Sequence, residues 1–224
     1  YHAFKSMIGN RPTWIAASTH EGEEESVAQV HCMLTEHLPD LLTIIVPRHP
    51  DRVDDILHSL SKFQVEIATR SSGDIISPST GVYVGDSIGE MGLYFGLAEV
   101  AFMGKSLKSQ GGQNPIEPVM SHAAILSGPY VQNFRDTYQA LLESGGARLV
   151  KDENMLAGHV LHLLRNPHDL HAMQTAARNT VYQMTGALER TIAALDPYIM
   201  PLRVQAGLDK RLYGEDPVSA HGGQ

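Results

Sequence analysis

Short apolar runs alternate along the chain with stretches of helical periodicity, the pattern of strands joined by crossover helices in a parallel sheet. Thr13-Trp14-Ile15-Ala16-Ala17 predicts the first strand, ending at the polar turn Ser18-Thr19-His20-Glu21-Gly22. A helix is expected from about Glu23 to His37, broken by Pro39-Asp40. Leu41-Leu42-Thr43-Ile44-Ile45-Val46 is almost wholly apolar, as a strand buried on both faces should be, and Pro47 stops it. Val53, Ile56, Leu57 and Leu60 then recur at helical spacing. Val65-Glu66-Ile67-Ala68-Thr69 and Gly81-Val82-Tyr83-Val84 predict two more strands, separated by a loop rich in Ser, Gly and Pro. Ser87-Ile88-Gly89-Glu90 has the form of a capping box opening a helix to about Leu97. Glu99 to Met103 is the fifth expected strand, Gly104 to Gly112 a loop, and Pro115 a first-turn residue of the next helix. Ala123 to Leu126 is the sixth strand and Phe134 to Ser144 a further helix. Beyond it the pattern is helical, with Val181, Met184, Leu188, Ile192 and Leu195 in one apolar stripe. These elements describe one α/β domain, a Rossmann-like doubly wound parallel sheet over residues 1–203, with a patternless and loose tail over 204–224.

Composition supports a globular reading. Of 224 residues, 42% are hydrophobic and 19% charged, enough to bury a core. Acidic side chains outnumber basic ones 25 to 17, for a net charge of −8, which argues against a nucleic-acid binder and against docking on an anionic membrane surface. The single cysteine, Cys32, cannot form an internal disulfide. No run of about 18 apolar residues is present to span a bilayer. The chain opens Tyr1-His2-Ala3 with no signal-peptide pattern, and is expected to be a soluble piece of a longer protein.

In an open parallel sheet ligands bind beyond the carboxyl ends of the strands. The turns there carry Ser18 to Glu23, Pro47-Arg48-His49-Pro50, Gly85 to Glu90 and Gly111 to Pro118. Arg48, directly after a buried strand, either clamps a phosphate or carboxylate or pairs on the surface with Asp51 or Asp54. Gly111-Gly112 ahead of Asn114-Pro115 either brings backbone amides to an anion at a helix N-terminus or only makes a turn. Glu117, in the first turn of that helix, either complements the dipole or accepts two ribose hydroxyls. Ser87 with Glu90, taken alone, is a helix cap. The chain holds 12 histidines, but His159 with His162 and His168 with His171 each lack a third ligand, and His20-Glu21 lacks the second histidine of H-E-x-x-H. No metal is expected.

Three function classes can be weighed. A nicotinamide dehydrogenase needs G-x-G-x-x-G at the first strand-to-helix turn, where this chain has acidic residues that would repel a pyrophosphate. A serine hydrolase is suggested by Gly85-Asp86-Ser87, but Asp55-Ile56-Leu57-His58 precedes the serine instead of following it. The third class is the nucleotide-sugar half of a glycosyltransferase. Arg11-Pro12 with Trp14-Ile15-Ala16 and Ser18 to Glu24, Val46 to Arg52, Arg70-Ser71-Ser72-Gly73, Gly85 to Met91 with Leu93-Tyr94, and Gly111 to Pro118 with Gly128-Pro129 follow one another over roughly residues 11–135. In order and spacing these blocks resemble the Kdo transferases of lipopolysaccharide synthesis. The chain departs from that family at Lys105, where a second glycine is usual after Gly104, at Gln113 for histidine, and at Ser87 for threonine.

The resemblance implies the C-terminal, donor-binding domain of a two-domain GT-B enzyme. It implies CMP-Kdo as donor and a lipid A precursor as acceptor, with inversion at the anomeric centre and neither metal nor cofactor. Family positions that bind CMP match Pro47, Arg48, Ile88, Gly89, Glu90, Asn114, Pro115, Ile116 and Glu117. The family's general base and membrane anchor lie in its N-terminal domain. This piece is therefore expected to bind CMP without transferring Kdo, and the full protein to work at the cytoplasmic face of the bacterial inner membrane. A UDP-sugar 2-epimerase, built from two such domains, is the alternative within the same fold.

Overall fold

The computed structural model describes residues 1–205; residues 206–224, and with them nearly all of the expected tail, lie outside the described residues. The six expected strands all form: β1 (Thr13–Thr19), β2 (Leu42–Pro47), β3 (Glu66–Thr69), β4 (Thr80–Val84), β5 (Val100–Met103) and β6 (Ala124–Ser127). They lie parallel in the order β3-β4-β2-β1-β5-β6, and β7 (Ala147–Leu149) adds a seventh strand beside β6. That seventh strand corrects the expectation of helix throughout beyond Ser144. Gly145, with φ 76, and Gly146 turn the chain into it, and a Cβ on Gly146 would meet the Cα of Ala177 at 2.5 Å.

Helices cover both faces, as an all-parallel sheet requires. Alternation along β1 sends Trp14 and Ala16 to one face and Ile15 and Ala17 to the other. The first face packs α2 (Glu23–Thr35), α3 (Val53–Leu60) and α7 (Glu153–Arg165) through Val27, Ile56 and Val160. The second packs α1 (His2–Ile8), α4 (Met91–Phe95), α5 (Ile116–Met120) and α6 (Arg135–Glu143) through Ile8, Phe95, Val119 and Leu141. The start of α8 (Pro167–Gln205) joins this core through Ala177 and Val181. The compact α/β unit runs from Tyr1 to Val181, and a second unit begins at Tyr182. Of the expected apolar stripe, Val181 is buried, Met184 is half-buried and Leu195 is exposed; the side chains of Leu188 and Ile192 lie outside the described ones.

The amino-terminal edge of the sheet is tied by Arg11. Its guanidinium donates to the carbonyls of Asp40 (2.9 Å), Ser77 (3.0 Å), Leu41 (3.3 Å) and Thr80 (2.6 Å), holding the segments that enter β2 and β4. Nearby, buried Thr43 accepts the Trp14 indole N–H at 2.7 Å and meets His31 Nδ1 at 2.8 Å. No helix of the described residues is long and apolar enough to cross a membrane.

Candidate functional site

The strand order reverses direction between β1 and β5, so the cleft of this sheet opens where the turns after β1, β2, β4 and β5 meet. The turn after β2 begins at buried Pro47 and exposes Arg48, whose backbone N–H donates to the Thr19 carbonyl at 3.0 Å. The Arg48 side chain forms no ion pair with Asp51, Asp54 or any other carboxylate among the described residues. The surface-pair alternative is therefore absent. Facing it is the turn after β4, where Ile88 is 90% exposed and Gly89 takes φ 84, a backbone that a side chain would strain. Ser18, Pro47, Arg48, Ile88, Gly89 and Met91 line a single cavity of about 150 Å³.

Glu90 takes another part than the sequence suggests. It does not close a capping box: α4 begins only at Met91, and no side chain caps it. Both Glu90 carboxylate oxygens instead accept from Arg70, each at 2.8 Å, and Ser87 Oγ donates to the same carboxylate. The bidentate guanidinium first, and the serine second, hold the Glu90 carboxyl down to about 2. A non-local ion pair thus outcompetes the local cap. Ser71 similarly donates its N–H (2.9 Å) and Oγ to Asp86, so the Arg70-Ser71 turn braces the loop that presents Ile88 and Gly89. Among the described residues the Ser87 hydroxyl bonds only with Glu90 and Tyr94, and no histidine is bonded to it to serve the hydrolase reading as base.

The third set approaches from α5. Asn114 Oδ1 accepts the Ile116 N–H at 3.0 Å, Pro115 is buried as the residue preceding the helix, and Ile116 and Glu117 are exposed. Glu117 reaches the rim: a Cβ built on Gly92, three residues past Gly89, would lie 3.3 Å from Glu117 Oε1. Arg48, Gly89 and Glu117 therefore stand along one edge of the sheet. Of the two readings of the glycine pair ahead of α5, the turn holds. Gly111 and Gly112 are buried, and their N–H groups donate to Gln132 Oε1 (3.2 Å) and the Lys105 carbonyl (2.7 Å). They build the loop and offer no free amide to an anion.

One group with a large structural part escaped the sequence reading. Glu23, the first residue of α2, points inward, fully buried, and does not face a ligand. Its carboxylate accepts four backbone N–H groups, from His20 (3.0 Å), Lys105 (2.7 Å), Ser106 (3.0 Å) and Leu107 (3.0 Å). It thereby ties the turn after β1 to the loop after β5 across the cleft, an anion held in a nest of amides. The signal available was Lys105 itself. It takes φ 55, so the glycine usual at that position answers a backbone demand. Gly104 is needed for a different reason: a Cβ there would lie 2.5 Å from the Ser18 carbonyl oxygen.

His20 sits between these loops. Its Nδ1 is 3.2 Å from the Ser18 carbonyl, which can only accept, so Nδ1 carries the proton. Burial lowers its readiness to protonate, and its ring meets that of His49 edge-on at 5.7 Å. No group of three or more His, Cys, Asp or Glu side chains able to hold a metal ion occurs among the described residues.

No family model matches the chain. Among curated proteins, it is 35% identical over 191 residues to the 3-deoxy-D-manno-octulosonic acid transferase of Haemophilus influenzae, covering 85% of this chain and 45% of that protein. It is 34% identical over 202 residues to the enzyme of the same name from Bordetella pertussis, covering 88% and 47%. The chain thus spans about half the length of the curated relatives it matches. Among solved structures, the C-terminal CMP-Kdo binding domain of WaaA from Acinetobacter baumannii superposes with a TM-score of 0.77 at 27% identity, over 80% of this chain and 95% of that domain. In sequence the chain is thus similar to about half of the 3-deoxy-D-manno-octulosonic acid transferases, and its fold is that of a C-terminal domain of the GT-B glycosyltransferases.

Proposed function

We propose that this chain is the donor-binding part of a glycosyltransferase that moves Kdo from CMP-Kdo to a lipid A precursor in lipopolysaccharide synthesis. The observation that carries the reading is the convergence of Arg48, the Ile88-Gly89 turn and Glu117 on one rim of the sheet. Each has a physical role there. The unpaired Arg48 guanidinium meets the phosphate as a charge-assisted donor. Ile88 covers the cytosine while the Gly89 backbone approaches its edge. Glu117 accepts from the ribose hydroxyls. Asn114, Pro115 and Ile116 fix the approach of α5, and Glu90, locked by Arg70, fixes the turn below the base.

In this reading the chain stabilises the cytidylate as it leaves, the developing negative charge falling on the Arg48 side. The reaction inverts the anomeric centre and uses no metal. The base that deprotonates the acceptor, the acceptor contacts and the anchor at the cytoplasmic face of the inner membrane belong to other residues of the whole protein. These 224 residues alone bind CMP and transfer nothing.

Calorimetric titration of CMP into wild type, Arg48→Ala and Glu117→Ala tests the site. Each substitution is expected to cost about 1.5–3 kcal/mol of binding, the worth of a hydrogen bond to a charged group. Unchanged affinity in both overturns the assignment. A thermal shift larger with UDP than with CMP would instead favour a UDP-sugar 2-epimerase-like site.

A further inference from the structure

Lys105 begins the loop after β5 in a conformation that a lysine enters only at a cost. Its φ of 55 lies in the left-handed region, where Cβ crowds the backbone. Everything its backbone does, a glycine could do without that strain: the N–H donates to Glu23 and the carbonyl accepts from Gly112. The side chain is what remains to account for the residue. It is half-buried and runs across Gly111, where an added Cβ would lie 3.1 Å from Lys105 Cε. Among the described residues no carboxylate stands within ion-pair distance of its ammonium, whereas Lys108, three residues on, is bound to Glu153 at 2.7 Å.

The unpaired ammonium has company. Its loop shares the Glu23 carboxylate with the His20 backbone, and burial first and the Lys105 charge after it oppose protonation of His20, which Glu23 favours; the His20 ring abuts that of His49, the neighbour of Arg48. Arg48, His49, His20 and Lys105 therefore follow one another around the turn after β1, in a chain whose net charge is −8. The Glu23 carboxylate between the two loops is already occupied by four backbone N–H groups, so two strong cations without an ion-pair partner remain, one on the β2 side of the cleft and one on the β5 side, and they suit a guest with more than one anionic oxygen.

We propose that Lys105 is a second phosphate-binding cation of this site, gripping the nucleotide from the β5 side while Arg48 grips it from the β2 side. The inference rests on the CMP reading above and adds a contact that belongs to this chain's own lysine.

The test titrates CMP and cytidine into wild type, Lys105→Gly, Lys105→Gln and Lys105→Arg, with melting temperatures recorded alongside. Lys105→Gly relieves the backbone and is expected to melt no lower than wild type, while Lys105→Gln keeps a polar side chain, one atom shorter, and removes the charge. Both should weaken CMP by about tenfold or more, the loss of one charged hydrogen bond. Both should leave cytidine, which lacks the phosphate, as in wild type, and Lys105→Arg should keep most of the CMP affinity. CMP affinity unchanged in Gly and Gln overturns the role of Lys105 while the CMP site stands. An equal loss for cytidine overturns it too, because the lysine would then act through structure. Failure of wild type to bind CMP overturns the site and Lys105 together.

Discussion

Glu23 Oε1 accepts the backbone N–H of Ser106 at 3.0 Å, although 83 residues separate the two in sequence. The same carboxylate serves three further amides, so its removal leaves two buried and two part-buried donors without an acceptor. Glu23→Ala is expected to lose about 3 kcal/mol or more of folding stability, since each orphaned buried group costs about 1–3 kcal/mol. Glu23→Gln should not restore it, because one arm of the amide is itself a donor and would face other donors. Urea unfolding of both variants checks this; a glutamine variant as stable as wild type would contradict the arrangement.

Gly92→Ala separates function from stability at the opposite side of the cleft. The new methyl meets only the tip of Glu117, a flexible end that can move, so stability should change by no more than about 0.5 kcal/mol. Glu117 is displaced in moving aside, and CMP affinity should fall although Gly92 itself need not touch the nucleotide. Paired melting and titration curves decide it.

Arg70→Gln removes the guanidinium that pins Glu90. The Glu90 carboxyl, held down to about 2 chiefly by that arginine, should return toward the ordinary glutamate value of about 4.3. A carboxyl-detected NMR titration reads the change directly. Because the pair is partly solvent-exposed, little loss of folding stability is expected beside the change in titration.

His31 makes stability depend on pH. Burial first, and the charge of Arg11 second, depress it from 6.5 to about 4, so it stays neutral in the fold. The unfolded chain takes up the proton near 6.5. Stability therefore falls as pH drops from about 6.5 to about 4, by about 3 kcal/mol in all, and this contribution levels off below that. In His31→Asn the slope over that interval should be shallower; an unchanged slope would assign it to other groups.

Arg11→Lys should fail to replace the arginine. An ammonium cannot reproduce a planar fork that serves the carbonyls of Asp40, Leu41, Ser77 and Thr80 at once, and about 2 kcal/mol of stability should be lost. Urea midpoints measure it.

What the sequence revealed of this fold follows physical range. The runs at Trp14, Ile44, Val82, Phe102 and Ile125 are buried on both faces, so their local composition alone announces parallel strands. Ala147-Arg148-Leu149 was missed because three residues at a half-buried edge carry no periodicity to read. At the rim, the strand-end rule directed attention to Arg48, Gly89 and Glu117, which do share an edge. The serine–glutamate cap failed for a different reason: its glutamate is claimed by Arg70, 20 residues upstream, and no local motif registers a distant partner. The acidic turn after β1 hides another such distant partner: Glu23 faces inward and is satisfied by a loop more than 80 residues away.

Because the Glu23 carboxylate already neutralises the amides of the loop after β5, that loop keeps its shape with the cleft empty. On the proposed reading, a nucleotide would meet walls already standing, and none of its affinity would go to assembling them.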